Sequence, residues 1–191
     1  MTFDEKELIS ARVAAQAARQ HTIEKDVTIN GERYQFEIRE FPPHFSMTLP
    51  KSFEQLAAER AKLKFPSENR PKIILTNADT TVNIAFDCIK TQPEELQLRL
   101  KKYKAVMKKL HPSYVFFTES ICEIKSGLEV ACYDYRGSAL DTDIYYLSFF
   151  TDLPTGELFG WFNCPVDSQS AWEPLVRQMI QTIKPFTDSE V

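Results

Sequence analysis

The stretch IYYLSFF, Ile144 to Phe150, decides how this chain folds. Its alternating positions split into Ile144, Tyr146, Ser148 and Phe150 on one side and Tyr145, Leu147 and Phe149 on the other, and both sets are largely apolar. A strand that is apolar on both faces must be covered on both faces. An antiparallel sheet with helices on each side is the simplest arrangement that does this.

Neighbouring segments supply the sheet. YVFFTESICEI (114–124), LEVACYDYRGSA (128–139), DIYYLSFFT (143–151) and ELFGWFNCP (157–165) all read as strands. Their joints, Ser126-Gly127, Leu140 to Asp143 and Leu153 to Gly156, are short. Short joints give antiparallel neighbours, here a meander of four strands. Within FGWFNCP, Phe159, Trp161 and Asn163 share one face, and Gly160, Phe162 and Cys164 share the other. The aromatics are therefore expected to divide between two layers rather than gather in a pocket, with Gly160 leaving room for a large neighbour.

Helices flank the meander. Pro93 suits a first helical position, with Glu94 and Glu95 behind it. Leu96, Leu100, Tyr103, Met107 and Leu110 then fall in a stripe about 80° wide, and Pro112 ends the run. Leu98 points away from that stripe and is expected to be exposed. A last helix is expected from a Ser170/Glu173 capping box, with Trp172, Leu175, Val176, Met179 and Ile183 as its apolar face. Upstream, Asn30-Gly31 sits between two strand-like runs and signals a hairpin. Phe45, Met47 and Leu49 alternate as a strand. Ser52 with Gln55 reads as a capping box opening a short helix through Leu63. KIILTN and VNIAFDCI form a second hairpin around ADTT, with Val82, Ile84, Phe86 and Cys88 on one face. Residues 3–20 read as a helix with a thin apolar face of Leu8, Ile9 and Val13, suited to packing on a second copy.

Composition bounds the function. The 191 residues suit one domain, 23–191, with a helical appendage at 1–22. A net charge of −4 gives no global pull toward nucleic acid or acidic membranes. No apolar run approaches the roughly 18 residues of a membrane helix, and the N-terminus lacks a signal-peptide pattern. The expectation is a soluble, cytoplasmic protein. Cys88, Cys122, Cys132 and Cys164 are scattered without a CxxC pair, as reduced core thiols would be.

The order of elements suggests a family. A hairpin leads to a strand ending in Leu49-Pro50 and a short helix beginning near Phe53. Two strands, a long helix, a four-strand meander and a final helix follow, with FNCP leading to Trp172 and then IQTIK (Ile180 to Lys184). Over residues 26–185 this resembles the PsbP-like superfamily. That superfamily holds an extrinsic photosystem II protein, Ran-binding import factors and bacterial proteins of unknown role. The resemblance implies an α+β fold, a three-layer α/β/α sandwich around a mainly antiparallel sheet. It also implies a non-catalytic interaction module. No photosynthetic or import-factor binding motif matches here, and residues 3–20 fall outside the likeness.

Signals for chemistry are sparse. Cys164, at a strand end, is the one candidate for a thiol-dependent enzyme. The only histidines, His21, His44 and His111, show no placement beside it. A core thiol is the stronger reading. Asp141 and Asp143 flank a turn, where Asp is a common turn former, so no metal is expected. With 5 glycines and no phosphate-binding loop or GxSxG, no cofactor is expected. The long helix carries Arg99, Lys101, Lys102, Lys104, Lys108 and Lys109 against Glu94 and Glu95, a run read as a solvated face rather than a nucleic-acid site. The most site-like stretch is KFPSENRP, Lys64 to Pro71. Its prolines hold one shape, and it presents Phe65, Glu68, Asn69 and Arg70 together. Its plainer reading is a connector with Arg70 paired to an acid. Three functions remain: a protein-interaction module, a small-molecule binder with an aromatic cleft lined by Tyr or Trp, and the thiol enzyme.

Overall fold

The computed structural model describes residues 21–92, 94–139 and 142–186. The expected helix over 3–20, Pro93 and Asp141 lie outside those residues. The described chain is mixed α+β. Its strands are β1 (Val27–Ile29), β2 (Glu32–Tyr34), β3 (Phe36–Phe41), β4 (Phe45–Pro50), β5 (Glu54–Gln55), β6 (Ile73–Thr76), β7 (Asn83–Ile89), β8 (Val115–Glu123), β9 (Glu129–Ser138), β10 (Asp143–Leu153), β11 (Gly156–Pro165) and β12 (Lys184–Pro185). Its helices are α1 (Ala58–Lys64), α2 (Leu96–Leu110) and α3 (Gln169–Ile180), the last entered through a 3-10 turn at Val166–Ser168.

The meander forms as expected and extends into a seven-stranded sheet of order β5-β6-β7-β11-β10-β9-β8. Every pairing in it is antiparallel. A three-stranded sheet, β12-β4-β3, and the β1-β2 hairpin complete the strands. Asn30 (φ 50°) and Gly31 (φ 83°) close that hairpin. Both take positive φ, as a two-residue turn matching strand twist requires, and Gly and Asn bear that conformation best.

Strand β10 shows why both faces must be covered. Tyr145, Leu147 and Phe149 enter one core with Phe45, Met47, Leu49, Trp172, Leu175, Val176 and Met179. Phe150 enters another with Leu100, Tyr133 and Tyr135, against which Leu96, Tyr103 and Met107 of α2 pack. Fully burying each such side chain is worth roughly 1.5–3 kcal/mol. The first face is covered by strands as well as by α3, since β4 and the β1-β2 hairpin contribute to its core. Gly160 has the close neighbour expected: a Cβ there would lie 2.3 Å from Phe149 Cζ.

Both capping boxes are corrected. Gln55 pairs with Leu75 in β5, at the edge of the large sheet. The helix consequently starts only at Ala58, with no side-chain cap. The last helix begins at Gln169, also without a side-chain cap, and contains Pro174. Glu173 turns instead to Arg177, accepting from Nε at 3.1 Å and Nη2 at 3.0 Å. Ser168 is occupied by the hairpin turn, its Oγ accepting from Asn30 Nδ2 at 2.9 Å. Leu110 also departs from expectation: it ends α2 and is 65% exposed rather than packed in the stripe.

Candidate functional site

The Lys64–Pro71 loop is held by its own contacts. The Phe65 N–H donates to Ala61 O at 2.8 Å and closes α1. Ser67 accepts from the Asn69 N–H at Oγ (3.2 Å) and from the Arg70 N–H at its carbonyl (3.2 Å). Arg70 Nε donates to Phe65 O at 2.9 Å. The expected acid partner is thus replaced by a backbone carbonyl, which pins the two ends of the loop together. The Phe65 ring tilts against Trp161, centroids 5.0 Å apart.

Beneath this loop opens a cleft of about 520 Å3. Sheet register builds its floor. Ser148 lies between Tyr133 on β9 and Trp161 on β11. Two residues along the strand, on the same face, Tyr146 pairs with Tyr135. The short Ser148 side chain leaves a notch between large rings. Its hydroxyl meets the Tyr133 and Tyr135 phenols, whose pKa values burial pushes up. Tyr114 lies flat over Gly137, where a Cβ would come within 2.4 Å of the Tyr114 ring. The rings stack nearly parallel: His111 on Tyr114 (4.4 Å, 7°), Tyr114 on Tyr135 (5.4 Å, 19°) and Tyr135 on Tyr146 (5.0 Å, 10°). Burial, then Tyr114, pushes the Tyr146 phenol up to about 12.

Phe65, Asn69 and Arg70 converge on this cleft. Glu68 faces a neighbouring groove of about 560 Å3, which Asn69 and Arg70 share. Leu98 does not join them. It is exposed, in the first turn of α2, about 13 Å along the helix from the cleft residue Met107. Phe162 leaves for the opposite core, as its alternation requires, but Phe159 and Trp161 line the cleft. The rings of FGWFNCP are therefore partly gathered, against expectation. Sequence reading named an aromatic cleft lined by Tyr or Trp as one possibility but none of its tyrosines; the one local signal was Ser148, a small polar residue amid large rings.

Three of the four thiols are buried or half-buried and poor nucleophiles. Cys164 is fully buried, and burial pushes its pKa well up; burial pushes the Cys132 thiol up to about 12. Cys88 is half-buried and pushed up to about 11, while Cys122 is exposed. Among the described residues no three His, Cys, Asp or Glu side chains gather where they could hold a metal ion. We expect a thiol reagent at neutral pH to modify Cys122 first and leave Cys132 and Cys164 untouched until denaturant is added. Prompt labelling of native Cys164 would restore it as a nucleophile.

The basic face of α2 is partly engaged. Lys102 pairs with Glu94, Lys104 with Glu119, and Lys104 and Lys108 sit over the Phe116 ring. No helix among the described residues is long and apolar enough to cross a membrane.

This architecture is the PsbP-like fold. Cyanobacterial PsbP (CyanoP) from Synechocystis sp. PCC 6803 superposes with a TM-score of 0.59 over 79% of this chain and 92% of its own, at 8% identity. The Ran-binding protein Mog1p of Saccharomyces cerevisiae gives 0.53 over 85% and 98%, at 12% identity. A protein from Bacteroides thetaiotaomicron VPI-5482 gives 0.51 over 76% and 46%, at 14% identity. No family model matches the chain, and no curated protein matches its sequence.

Proposed function

We propose that this protein is a non-catalytic protein-interaction module, working in the cytoplasm, that grips a partner through the Lys64–Pro71 loop. The observation that carries this reading is the loop itself. Phe65 and Arg70 are tied by one hydrogen bond, and the Phe65 ring is set against Trp161. Aromatic and Arg side chains held in place are the usual anchors of interfaces, because little freedom is lost when they bind. Glu68 and Asn69 supply polar rim contacts, and Leu98 a separate contact on α2. The PsbP-like fold, with helices on opposite faces in the manner of a three-layer sandwich, is compatible with this role, and Mog1p is itself described as Ran-binding. A second association, between copies, is proposed through residues 1–22.

The test is capture of partners by wild type, Phe65→Ala, Arg70→Glu and Leu98→Ser proteins. Loss of the same partner from the two loop variants is expected, and identical lists for all four would remove the loop. Sedimentation of the chain with and without residues 1–22 addresses self-association: the expected result is a halved mass, and an unchanged mass overturns it.

A second reading is favoured by one feature, the aromatic cleft of about 520 Å3, which is of a size that takes a small molecule.

A further inference from the structure

We infer that the cleft binds a small planar aromatic anion, one carrying a carboxylate, sulfonate or phosphate on a flat ring system. This rests on the second reading above and adds the charge and shape of the ligand.

Shape comes from the rings. Tyr114, Tyr135 and Tyr146 present faces within 10–19° of parallel. Across the Ser148 notch stand Trp161 and, above it, Phe65. A flat ligand extends such a stack, since offset rings gain dispersion and quadrupole energy that a branched aliphatic group does not. The lining is rich in aromatic carbon, with a few polar groups (Ser148, Asn69 and the phenols) that fix orientation.

Charge comes from the loop. The described residues lining the cleft include Lys64 and Arg70 but no Asp or Glu. Lys64 Nζ is spent on the Thr80 carbonyl, so it contributes field rather than a clamp. Arg70 uses only Nε, on Phe65 O. Its Nη1 and Nη2 donate to no described residue. A guanidinium with its stem fixed and its terminal nitrogens unspent is arranged for an oxyanion, whose two oxygens match its fork. Asn69, beside it, adds a neutral donor.

Two probes of one ring system separate these points: 1-anilinonaphthalene-8-sulfonate and its uncharged counterpart N-phenyl-1-naphthylamine. Titration followed by probe fluorescence and thermal midpoint should show both binding at one site, the sulfonate about tenfold or more tighter and raising the midpoint. Arg70→Gln should erase the difference, weakening the sulfonate at least tenfold and the neutral probe by far less, since for the latter only the Nε tether to Phe65 is lost. Trp161→Ala should weaken both, and Glu123→Gln, remote from the cleft, neither. Equal affinities in the wild type overturn the anion preference and leave the aromatic cleft standing. Failure of both probes, or binding that ignores Trp161→Ala, overturns the cleft as well.

Discussion

Replacing Arg99 with Met is expected to lower the stability of the fold by about 3–5 kcal/mol, the usual consequence of stranding one member of a buried ion pair. Arg99 projects from α2 and is 3% exposed; Glu157 on β11 is 0% exposed. Arg99 Nη1 bonds to Glu157, and Nη1 and Nη2 reach Asp152 at 2.7 and 2.5 Å. The Tyr103 hydroxyl donates to the second Glu157 oxygen at 2.6 Å. Without Arg99 the Glu157 carboxylate stays in the core with a phenol as its remaining partner. Asp152 matters less, because its side chain is largely in water. The double variant Arg99→Met/Glu157→Leu should regain most of the loss, since it leaves no stranded charge. Denaturant midpoints at matched slopes measure this. A double variant no better than the single would show that shape, not charge pairing, holds α2 to the sheet.

Asp134→Ala is expected to cost about 2–3 kcal/mol on the other face, chiefly because the buried Tyr145 hydroxyl loses its acceptor while Arg177 keeps Glu173. Between Phe116 and Glu119 strand β8 bulges against β9, leaving Phe117 and Thr118 opposite Asp134. Asp134, 2% exposed, accepts from the Thr118 N–H at 2.7 Å and hydroxyl at 2.8 Å. It also accepts from Tyr145 OH at 3.0 Å and from Arg177 Nη2 of α3 at 3.1 Å. One carboxylate therefore closes the bulge and tethers a helix. Asp134→Asn should cost less, because its carbonyl still serves Thr118 although its amide meets Arg177. Besides the midpoint shift, faster hydrogen exchange at the Thr118 amide is expected in Asp134→Ala. An unchanged exchange rate there would detach the bulge from this residue.

What was legible in the sequence is what depends on near neighbours. Two-sided apolarity in Ile144–Phe150 required cover on both faces. Asn30-Gly31 specified a tight turn, and the short joints gave the meander. The capping boxes misled because both residues are used otherwise: the Gln55 backbone is drawn into β5 by pairing with Leu75, and the Glu173 side chain turns to Arg177 one helical turn ahead. The strand pairing of Gln55 depends on a partner twenty residues away that local reading does not weigh, whereas the Glu173–Arg177 pair was already offered by i,i+4 spacing. The cleft was hidden for the same reason as the Gln55 pairing. Phe65 and Trp161 are 96 residues apart in the chain, and the Tyr133–Ser148–Trp161 row exists only once register is set across three strands. Pro66 and Pro71 did mark a shaped loop, but nothing in the chain says which wall that loop overhangs.

The two tryptophans stand on opposite sides of one sheet. Trp172 is 1% exposed, wedged among Tyr34, Phe53 and Phe162, while Trp161 is partly exposed at the cleft. Indole emission shifts with the water around the ring, so the molecule carries two built-in optical reporters. Trp172 registers the integrity of the interior; Trp161 registers what arrives from outside. A Trp172→Phe protein would isolate the second signal, and occupancy of the surface could then be followed without attaching any label.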